Sequence, residues 1–175
     1  MAAFSVSEPE LKRAVAFIDG QNLFHCAREA FGYTHPNYDV LKLANAVCST
    51  KGWALSEVHF YTGVPSNADD PKWNAFWSKK LLSMSRQGVQ AFSRPLRYRQ
   101  RTIPIRHGTS IVQEVGEEKG IDVRIAIDVI RFVHRTKCDV ALVFSQDQDL
   151  SEVAKEVQQI SREQNRWIKM ASAFR

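Results

Sequence analysis

Cysteine is scarce in this sequence, and the positions of the three cysteines exclude the common structural uses of this residue. Cys26, Cys48 and Cys138 are odd in number, stand far apart and form neither a CxxC pair nor the Cys/His spacing of a zinc site. Each lies in an apolar stretch, which favours reduced, partly buried thiols in a reducing compartment. We therefore expect a cytoplasmic protein without a disulfide framework.

Long apolar runs and the common phosphate-binding motifs are also missing. No run approaches the roughly 18 residues that cross a bilayer, and the first residues contain no apolar core of a secretory signal. GxxxxGK[ST], GxGxxG and GxSxG do not occur. We therefore expect no membrane partner, no nucleotide site of those kinds and no elbow-type serine hydrolase.

What remains is the composition of one folded domain. The chain has 175 residues, of which 44% are hydrophobic and 25% charged, ordinary values for a globular protein. We interpret residues 1–12 as a flexible lead-in and residues 13–175 as the domain. Oligomeric state is left open, a homo-oligomer included.

Short apolar runs alternate with segments of helical periodicity, which predicts an α/β domain. The expected fold is a central, mostly parallel sheet of about five strands flanked by helices. Strands are expected at 14–18, 58–61, 89–92, 139–144 and 167–174. Helices are expected at 21–31, after Asp39, from Pro71, at 109–119, from Asp122 and at 150–161. Segment 94–107 is expected to be a ribbon or loop outside the core.

Aspartates follow two of the predicted strands and open a predicted helix. Asp19 follows AVAFI, Asp147 and Asp149 follow DVALVF, and Asp122 starts a helix. Parallel sheets place ligands at the carboxyl ends of their strands, so these carboxylates are expected to meet if the two strands are neighbours. Mg²⁺ and Mn²⁺ prefer such oxygen ligands, and pairs of these ions serve phosphodiester cleavage.

Each acidic residue also has an ordinary structural interpretation. Asp19, Asp122 and either Asp147 or Asp149 could simply cap the helices that follow them. Asp128 lies six residues after Asp122, which is about 120° around a helix, so the two share a face only if Asp122 precedes the helix proper. Asn22 is either an oxygen ligand and positioning group or a polar residue of a first helical turn.

A basic segment lies apart from the acids. The net charge is +5 and the pI is about 9.2, and the stretch RPLRYRQRTIPIRH contains five arginines and no acid. It could seat a nucleic-acid backbone, with Tyr98 stacking on a base, or be a solvated loop. Lys119 could contact phosphate or only solvent. The candidate nucleic-acid contacts are Arg94, Arg97, Tyr98, Arg99, Arg101, Arg106 and Lys119.

Four segments together resemble the NYN domain family, the LabA-like branch of the PIN-like nuclease superfamily. They are FIDGQNLF, EKGIDVRIAIDVI, VALVFSQDQDL and the last strand, and the resemblance covers roughly residues 13–175. It implies a Rossmann-like sheet of PIN type, dependence on Mg²⁺ or Mn²⁺, and cleavage of RNA, single-stranded or structured. The residues that match the family's functional positions are Asp19, Asn22, Asp122, Asp128, Asp147 and Asp149.

The expectation drawn from residues and resemblance is a metal-dependent ribonuclease. Asp19, Asp122 and Asp147 would be catalytic and bind metal together with Asp149, and the supporting residues would be Asn22, Asp128 and Asp149. Gln146, Gln148 and Leu150 replace the family's usual glycine, serine and phenylalanine. These departures keep a second hypothesis open, an RNA-binding or assembly module without turnover. A small-molecule phosphatase is disfavoured because Gln21 stands two residues after Asp19, where an aspartyl-phosphate enzyme needs a second acid.

Overall fold

The computed structural model describes residues 6–105 and 108–174. Its elements are β1 (Lys12–Asp19), α1 (Gly20–Phe31), α2 (Val40–Thr50), β2 (Trp53–Val64), α3 (Pro71–Arg86), β3 (Gln90–Pro95), β4 (Arg97–Pro104), β5 (Ser110–Glu117), α4 (Ile121–His134), β6 (Val140–Phe144), α5 (Leu150–Glu163) and β7 (Lys169–Ser172). No helix within these ranges is long and apolar enough to cross a membrane.

Five strands form one sheet in the order β3-β2-β1-β6-β7, and each neighbouring pair is parallel. The predicted α/β class and mainly parallel sheet are therefore confirmed. Strand β1 is central because its run from Ala14 to Ile18 is apolar on both faces and fully buried. Its two neighbours, β2 and β6, come from distant parts of the chain.

Side chains of β1 alternate between two helical layers. Ala14, Ala16 and Ile18 pack with α1, α2 and α3 on one face. Val15 and Phe17 pack with α4 and α5 on the other. The helices cover both faces of the sheet, so its carboxyl-terminal edge is where polar side chains can gather. All three cysteines are free, and Cys48 and Cys138 are buried, as expected.

An ion-pair network closes the opposite, amino-terminal edge of the sheet. Asp139 precedes β6 and accepts hydrogen bonds from the backbone N and the Nε of Arg13, at 2.9 and 3.0 Å. Arg166 approaches the other carboxylate oxygen at 3.2 Å. Burial pushes the pKa of Asp139 up, but the hydrogen bonds and charge of Arg13 outweigh it, so that pKa lies below its usual value.

The helix predicted at 109–119 is wrong. Ser110–Glu117 is strand β5, which pairs antiparallel with β4 from Arg97↔Glu117 to Pro104↔Ser110. We call this pair the ribbon. Its β-branched residues Ile111, Val112 and Val115 favour a strand once a partner is present, and Gly108 supplies a positive φ of 79° at the turn. The expected ribbon outside the core is confirmed for Arg97–Pro104. The expectation is wrong for Arg94 and Pro95, which end β3 and pair with Gly63 and Val64 in the central sheet.

Candidate active site

Adjacent strands bring the first two acidic segments together. In the register of β1 and β6, Ile18 pairs with Phe144, so Asp19 and Ser145 leave the sheet side by side. Both are buried, and the Ser145 hydroxyl donates to Asp19 Oδ2 at 3.5 Å. Asp19 Oδ1 accepts from the Asn22 backbone N at 2.9 Å and caps α1. The helix-cap interpretation of Asp19 is correct, and it uses Oδ1, while Oδ2 faces the Ser145 hydroxyl.

A small hydrogen-bond network orders the loop after β6. The Asn22 side-chain oxygen accepts from the Gln146 backbone N at 3.1 Å. The Asp147 backbone N donates to the Ser145 hydroxyl at 3.2 Å, and Asp147 Oδ1 accepts from the Asp149 backbone N at 2.9 Å. Asn22 therefore ties α1 to this loop and helps to fix Asp147 beside Asp19.

The third acidic segment comes from the turn before α4. Gly120 adopts a left-handed conformation with φ of 73°, and Asp122 lies in the first turn of the helix, where a carboxylate is favoured by the helix dipole. Arg94 donates to the Gly120 carbonyl at 3.3 Å. This turn needs glycine for its φ, whereas a Cβ at position 120 would meet only the end of the exposed Arg94 side chain, at 2.7 Å from Nη1.

These segments enclose a pocket of about 510 Å³ at the carboxyl-terminal edge of the sheet, which we call the acidic pocket. The structure brings together five of the predicted residues. Three more polar residues, Gln21, His25 and Glu118, line it without having been predicted as site residues. The pocket residues with ionisable or amide side chains are Asp19, Gln21, Asn22, His25, Glu118, Lys119, Asp122 and Asp147.

Crowded carboxylates make this pocket unfavourable for further negative charge. Burial raises the pKa of Asp19, although hydrogen bonds from Asn22 oppose the shift. Burial, together with the charges of Asp19 and Asp122, raises the pKa of Glu118 to about 7. The backbone N of Gly63 donates to Glu118 and holds that side chain in place. A bound cation would offset the mutual repulsion.

Asp128 and Asp149 are not part of the acidic pocket. Asp128 is buried within α4, where it accepts from the Tyr61 hydroxyl at 3.0 Å and from Arg124 Nε at 2.8 Å. Arg131 lies 3.2 Å from its other oxygen. These partners balance a buried charge inside the fold. Asp149 is exposed at the start of α5 and makes no side-chain cap.

The donor set of the acidic pocket suits a hard divalent cation. Asp19, Glu118, Asp122 and Asp147 offer only carboxylate oxygens, and the Asn22 amide lies beside them. Across residues 6–105 and 108–174, however, no three such side chains already converge closely enough to form a metal-ligand group. The chemistry of the residues fits Mg²⁺ or Mn²⁺, and binding would require the carboxylates to draw together.

Most of the predicted basic residues fall into two groups, one at the acidic pocket and one along the ribbon. Lys119 lines the acidic pocket, and Arg94 lies beside the Gly120 turn. Arg97, Arg99 and Arg101 alternate along β4 and share one face of the ribbon. Glu117 pairs with Arg101 and lies 3.8 Å from Arg99. Arg106 lies outside the described residues.

The order of the acidic segments along the chain, together with this geometry, agrees with a comparison against known families. A model of the NYN domain matches residues 13–168. The chain belongs to the NYN domain family. NYN domains are part of the PIN-like nuclease superfamily, and nuclease domains of this family act on RNA. No curated protein matches the chain.

Sequence reasoning missed Glu118 in this NYN domain, although it stands immediately before the Lys119-Gly120 pair. Its position depends on the ribbon, because β5 ends at Glu117 and delivers Glu118 to the pocket. The side chain of Gln146, one of the family departures, lines a different, mainly apolar cavity. This substitution therefore leaves the acidic pocket open.

Proposed function

We propose that this chain is a ribonuclease that hydrolyses RNA phosphodiester bonds in the acidic pocket with Mg²⁺ or Mn²⁺. The observation that carries the proposal is the meeting of Asp19, Asp122 and Asp147 around one pocket, although more than 100 residues separate the first from the others. Capping of α1 uses one oxygen of Asp19 and does not account for Asp122 and Asp147 lining the same pocket. The membership of a nuclease superfamily supports the same conclusion.

In this proposal four carboxylates hold the cation, namely Asp19, Glu118, Asp122 and Asp147. The bound ion would neutralise charge on the phosphodiester and lower the pKa of a water molecule. Asn22 and Ser145 keep Asp19 and Asp147 in register through the hydrogen bonds described above. Asp128 contributes by fixing α4 against β2, and Asp149 by holding the Asp147 carboxylate.

The basic residues seat the RNA strand in this proposal. Lys119 within the pocket and Arg94 at its rim would face phosphates next to the cleaved bond. Arg97, Arg99 and Arg101 would extend the positive surface along the ribbon. The proposal thus assigns two surfaces to the RNA. The acidic pocket would bind phosphate only with a cation present, whereas the arginine face of the ribbon is positive without one.

The decisive variant is Asp19→Asn, assayed with labelled RNA in Mn²⁺, in Mg²⁺ and in EDTA. We expect the native protein to cleave with either ion and not in EDTA, and the variant to lose at least about 100-fold in rate, because one metal-ligand charge is gone. Asparagine caps helices as well as aspartate, so α1 should persist in the variant. Cleavage unchanged in Asp19→Asn would refute the mechanism.

The matched control is Asp39→Asn. Asp39 caps α2 as Asp19 caps α1, accepting from the Lys42 backbone N at 3.0 Å, but it is exposed and does not line the acidic pocket. The same chemical change at an equivalent helix position should leave cleavage within about twofold of the native rate, since surface changes of this kind have small effects.

A second candidate function is RNA binding without turnover. The observation in its favour is that the pocket carboxylates, within the described part of the chain, do not already form a metal-ligand group. RNA binding that survives in Asp19→Asn, combined with no cleavage by the native protein under Mg²⁺ or Mn²⁺, would select this alternative.

A further inference from the structure

A second opening lies beside the acidic pocket, on the β2 side of α1. It has a volume of about 410 Å³ and is bounded by α1, the end of β2, the start of α3 and the base of the ribbon. Gln21 and His25 line both this opening and the acidic pocket. The contact between Gly63 and Glu118 joins the two. The two openings are therefore adjacent, and an extended ligand could contact both.

Aromatic side chains from three elements line this opening, which we call the aromatic cleft. Phe24 comes from α1, Trp73 and Trp77 come from α3, and Tyr98 comes from the ribbon. Trp77 is buried, and the other three are half-buried, so their rings are partly accessible. Ring surfaces of this kind bind flat apolar groups, and base stacking on aromatic residues contributes about 1–3 kcal/mol per base.

The charge of the cleft argues against a phosphate occupant. Asp69 and Asp70 line it, and among the described residues no lysine or arginine does. Asp70 is engaged as the cap of α3, accepting from the Trp73 backbone N at 3.0 Å. Asp69 is exposed and bonded to Ser66, and a carboxylate can accept further hydrogen bonds. The cleft therefore suits a flat ring with hydrogen-bond donors.

The ribbon positions one wall of the cleft. Tyr98 lies on the face of β4 opposite the arginines. It packs over Gly116 of β5, where an added Cβ would lie 3.0 Å from Tyr98 Cε1 and 3.1 Å from Leu96 Cδ1. Gly116 lets the tyrosine ring lie close to the ribbon backbone, directed toward α1 and α3. The arginines and Tyr98 thus lie on opposite faces of the ribbon.

We propose that the aromatic cleft binds one unpaired nucleobase of an RNA strand whose neighbouring phosphodiester occupies the acidic pocket, and that Asp69 favours bases with an exocyclic amino group. The placement of that phosphodiester rests on the proposed function. A base inside a duplex is covered by its neighbours and its partner, so only an unstacked base can enter. Cytosine presents an amino donor where uracil presents a carbonyl acceptor, which a carboxylate disfavours.

The first test needs no variant and no cleavage. Fluorescence anisotropy in EDTA compares oligomers of about ten nucleotides that are oligo(C), oligo(U) or an abasic ribose-phosphate chain. We expect the abasic chain to bind at least about fivefold more weakly than oligo(C), because stacking is lost. We expect oligo(U) to bind about 2- to 10-fold more weakly than oligo(C), the value of about one hydrogen bond.

Two variants locate the effect. Tyr98→Ala should remove most of the difference between oligo(C) and the abasic chain, whereas Tyr33→Ala, an exposed tyrosine outside the cleft, should leave it intact. Asp69→Asn should reduce the preference for oligo(C) over oligo(U). Circular dichroism of each variant establishes that the fold is retained.

Equal affinity for the abasic chain and oligo(C), or equal effects of Tyr98→Ala and Tyr33→Ala, would overturn the base site. An unchanged ratio of oligo(C) to oligo(U) affinity in Asp69→Asn would overturn the role of Asp69. Because binding is measured without metal, an absence of cleavage refutes the nuclease proposal alone. If the protein cleaves RNA but binds the abasic chain as tightly as oligo(C), the base site in the aromatic cleft is refuted and the nuclease proposal is not.

Discussion

Glu118 is a half-buried carboxylate whose environment differs strongly from that of a surface carboxylate. It is held by the Gly63 backbone N and faces Asp19 and Asp122. A Cβ at Gly63 would lie 2.8 Å from Glu118 Oε2 and 2.5 Å from Leu96 Cδ2, so a side chain here would displace Glu118 or Leu96. The electrostatic cost of crowding in the pocket therefore falls on Glu118, and also on Asp19, whose pKa is raised by burial.

The raised pKa of Glu118 predicts how the free energy of unfolding depends on pH. Burial first, and then Asp19 and Asp122, raise the pKa of Glu118 from 4.5 to about 7. Between these values the folded protein holds a proton that the unfolded chain releases, so the free energy of unfolding should fall as pH rises from about 4.5 to about 7. In EDTA, the fall in the free energy of unfolding over this pH range should be about 1–3 kcal/mol smaller in Glu118→Gln than in the native protein.

Urea denaturation of both proteins at each end of this pH window measures the difference. Asp19 shifts in the same direction and stays in both proteins, so the comparison isolates Glu118. Identical pH slopes for the native protein and Glu118→Gln would show that this carboxyl is not strained by its neighbours.

Single residues were predictable from sequence where they end an obvious strand or open an obvious helix. Asp19, Asp122 and Asp147 meet that condition, and all three line the acidic pocket. Asp128 matched a family position by spacing, but only the structure gives its partners Tyr61, Arg124 and Arg131. A buried acid on a helix has the same local pattern whether it pairs with arginine or faces a pocket.

At the level of elements, the ribbon is the part that sequence patterns described least well. Its strands pair with each other and not with the central sheet, and most of their side chains are exposed, so burial imposes no clear alternation. Helical periodicity in 109–119 was consequently misleading. The core strands and the other helices were predictable because each has an apolar face and end signals, such as Asp39, Asp70-Pro71 and Gly32.

The ribbon's arginine face predicts a change in the salt dependence of RNA binding. Each phosphate contact on a single strand contributes about 0.7 to the slope of log K against log salt. Replacing Arg99 and Arg101 together by glutamine should reduce the slope by up to about 1.4 and weaken binding at low salt. The pairing with Glu117 makes the full value an upper limit.

The control carries the same charge change at the other end of the molecule. Arg135 and Lys137 lie in the segment between α4 and β6, at the amino-terminal edge of the sheet. Their double replacement by glutamine should leave the slope nearly unchanged. A filter-binding titration over a salt series measures both, and equal loss from the two double variants would mean that the ribbon has no special role.

On the scale of the whole molecule, the strand order sets the site at one edge of the sheet and a compensated charge network at the other. At the amino-terminal edge, Arg13 and Arg166 balance the charge of Asp139. The acidic pocket has Lys119 but four carboxylates. The alternation of strands and helices predicted the fold class, but the adjacency of β1 and β6 required the three-dimensional sheet order.

The excess of carboxylates over cationic side chains in the acidic pocket predicts that divalent cations stabilise the entire fold. Mn²⁺ at roughly ten times its dissociation constant should add about 1.4 kcal/mol to the free energy of unfolding. Asp19→Asn should be at least as stable as the native protein in EDTA, because one crowded charge is gone, and should gain less from Mn²⁺. Calorimetric melting with and without the ion measures both effects, with Asp39→Asn as the control. Equal gains in all three proteins would place the ion elsewhere.

The direct passage of β5 into the pocket has a mechanical consequence. β5 ends at Glu117, and the next residues are Glu118, Lys119 and the Gly120 turn. A force on the outer end of the ribbon would thus act through the backbone of β5 on Glu118, a carboxylate of the pocket. We therefore expect a displacement of the ribbon to change the distance between Glu118 and the other acids of the pocket.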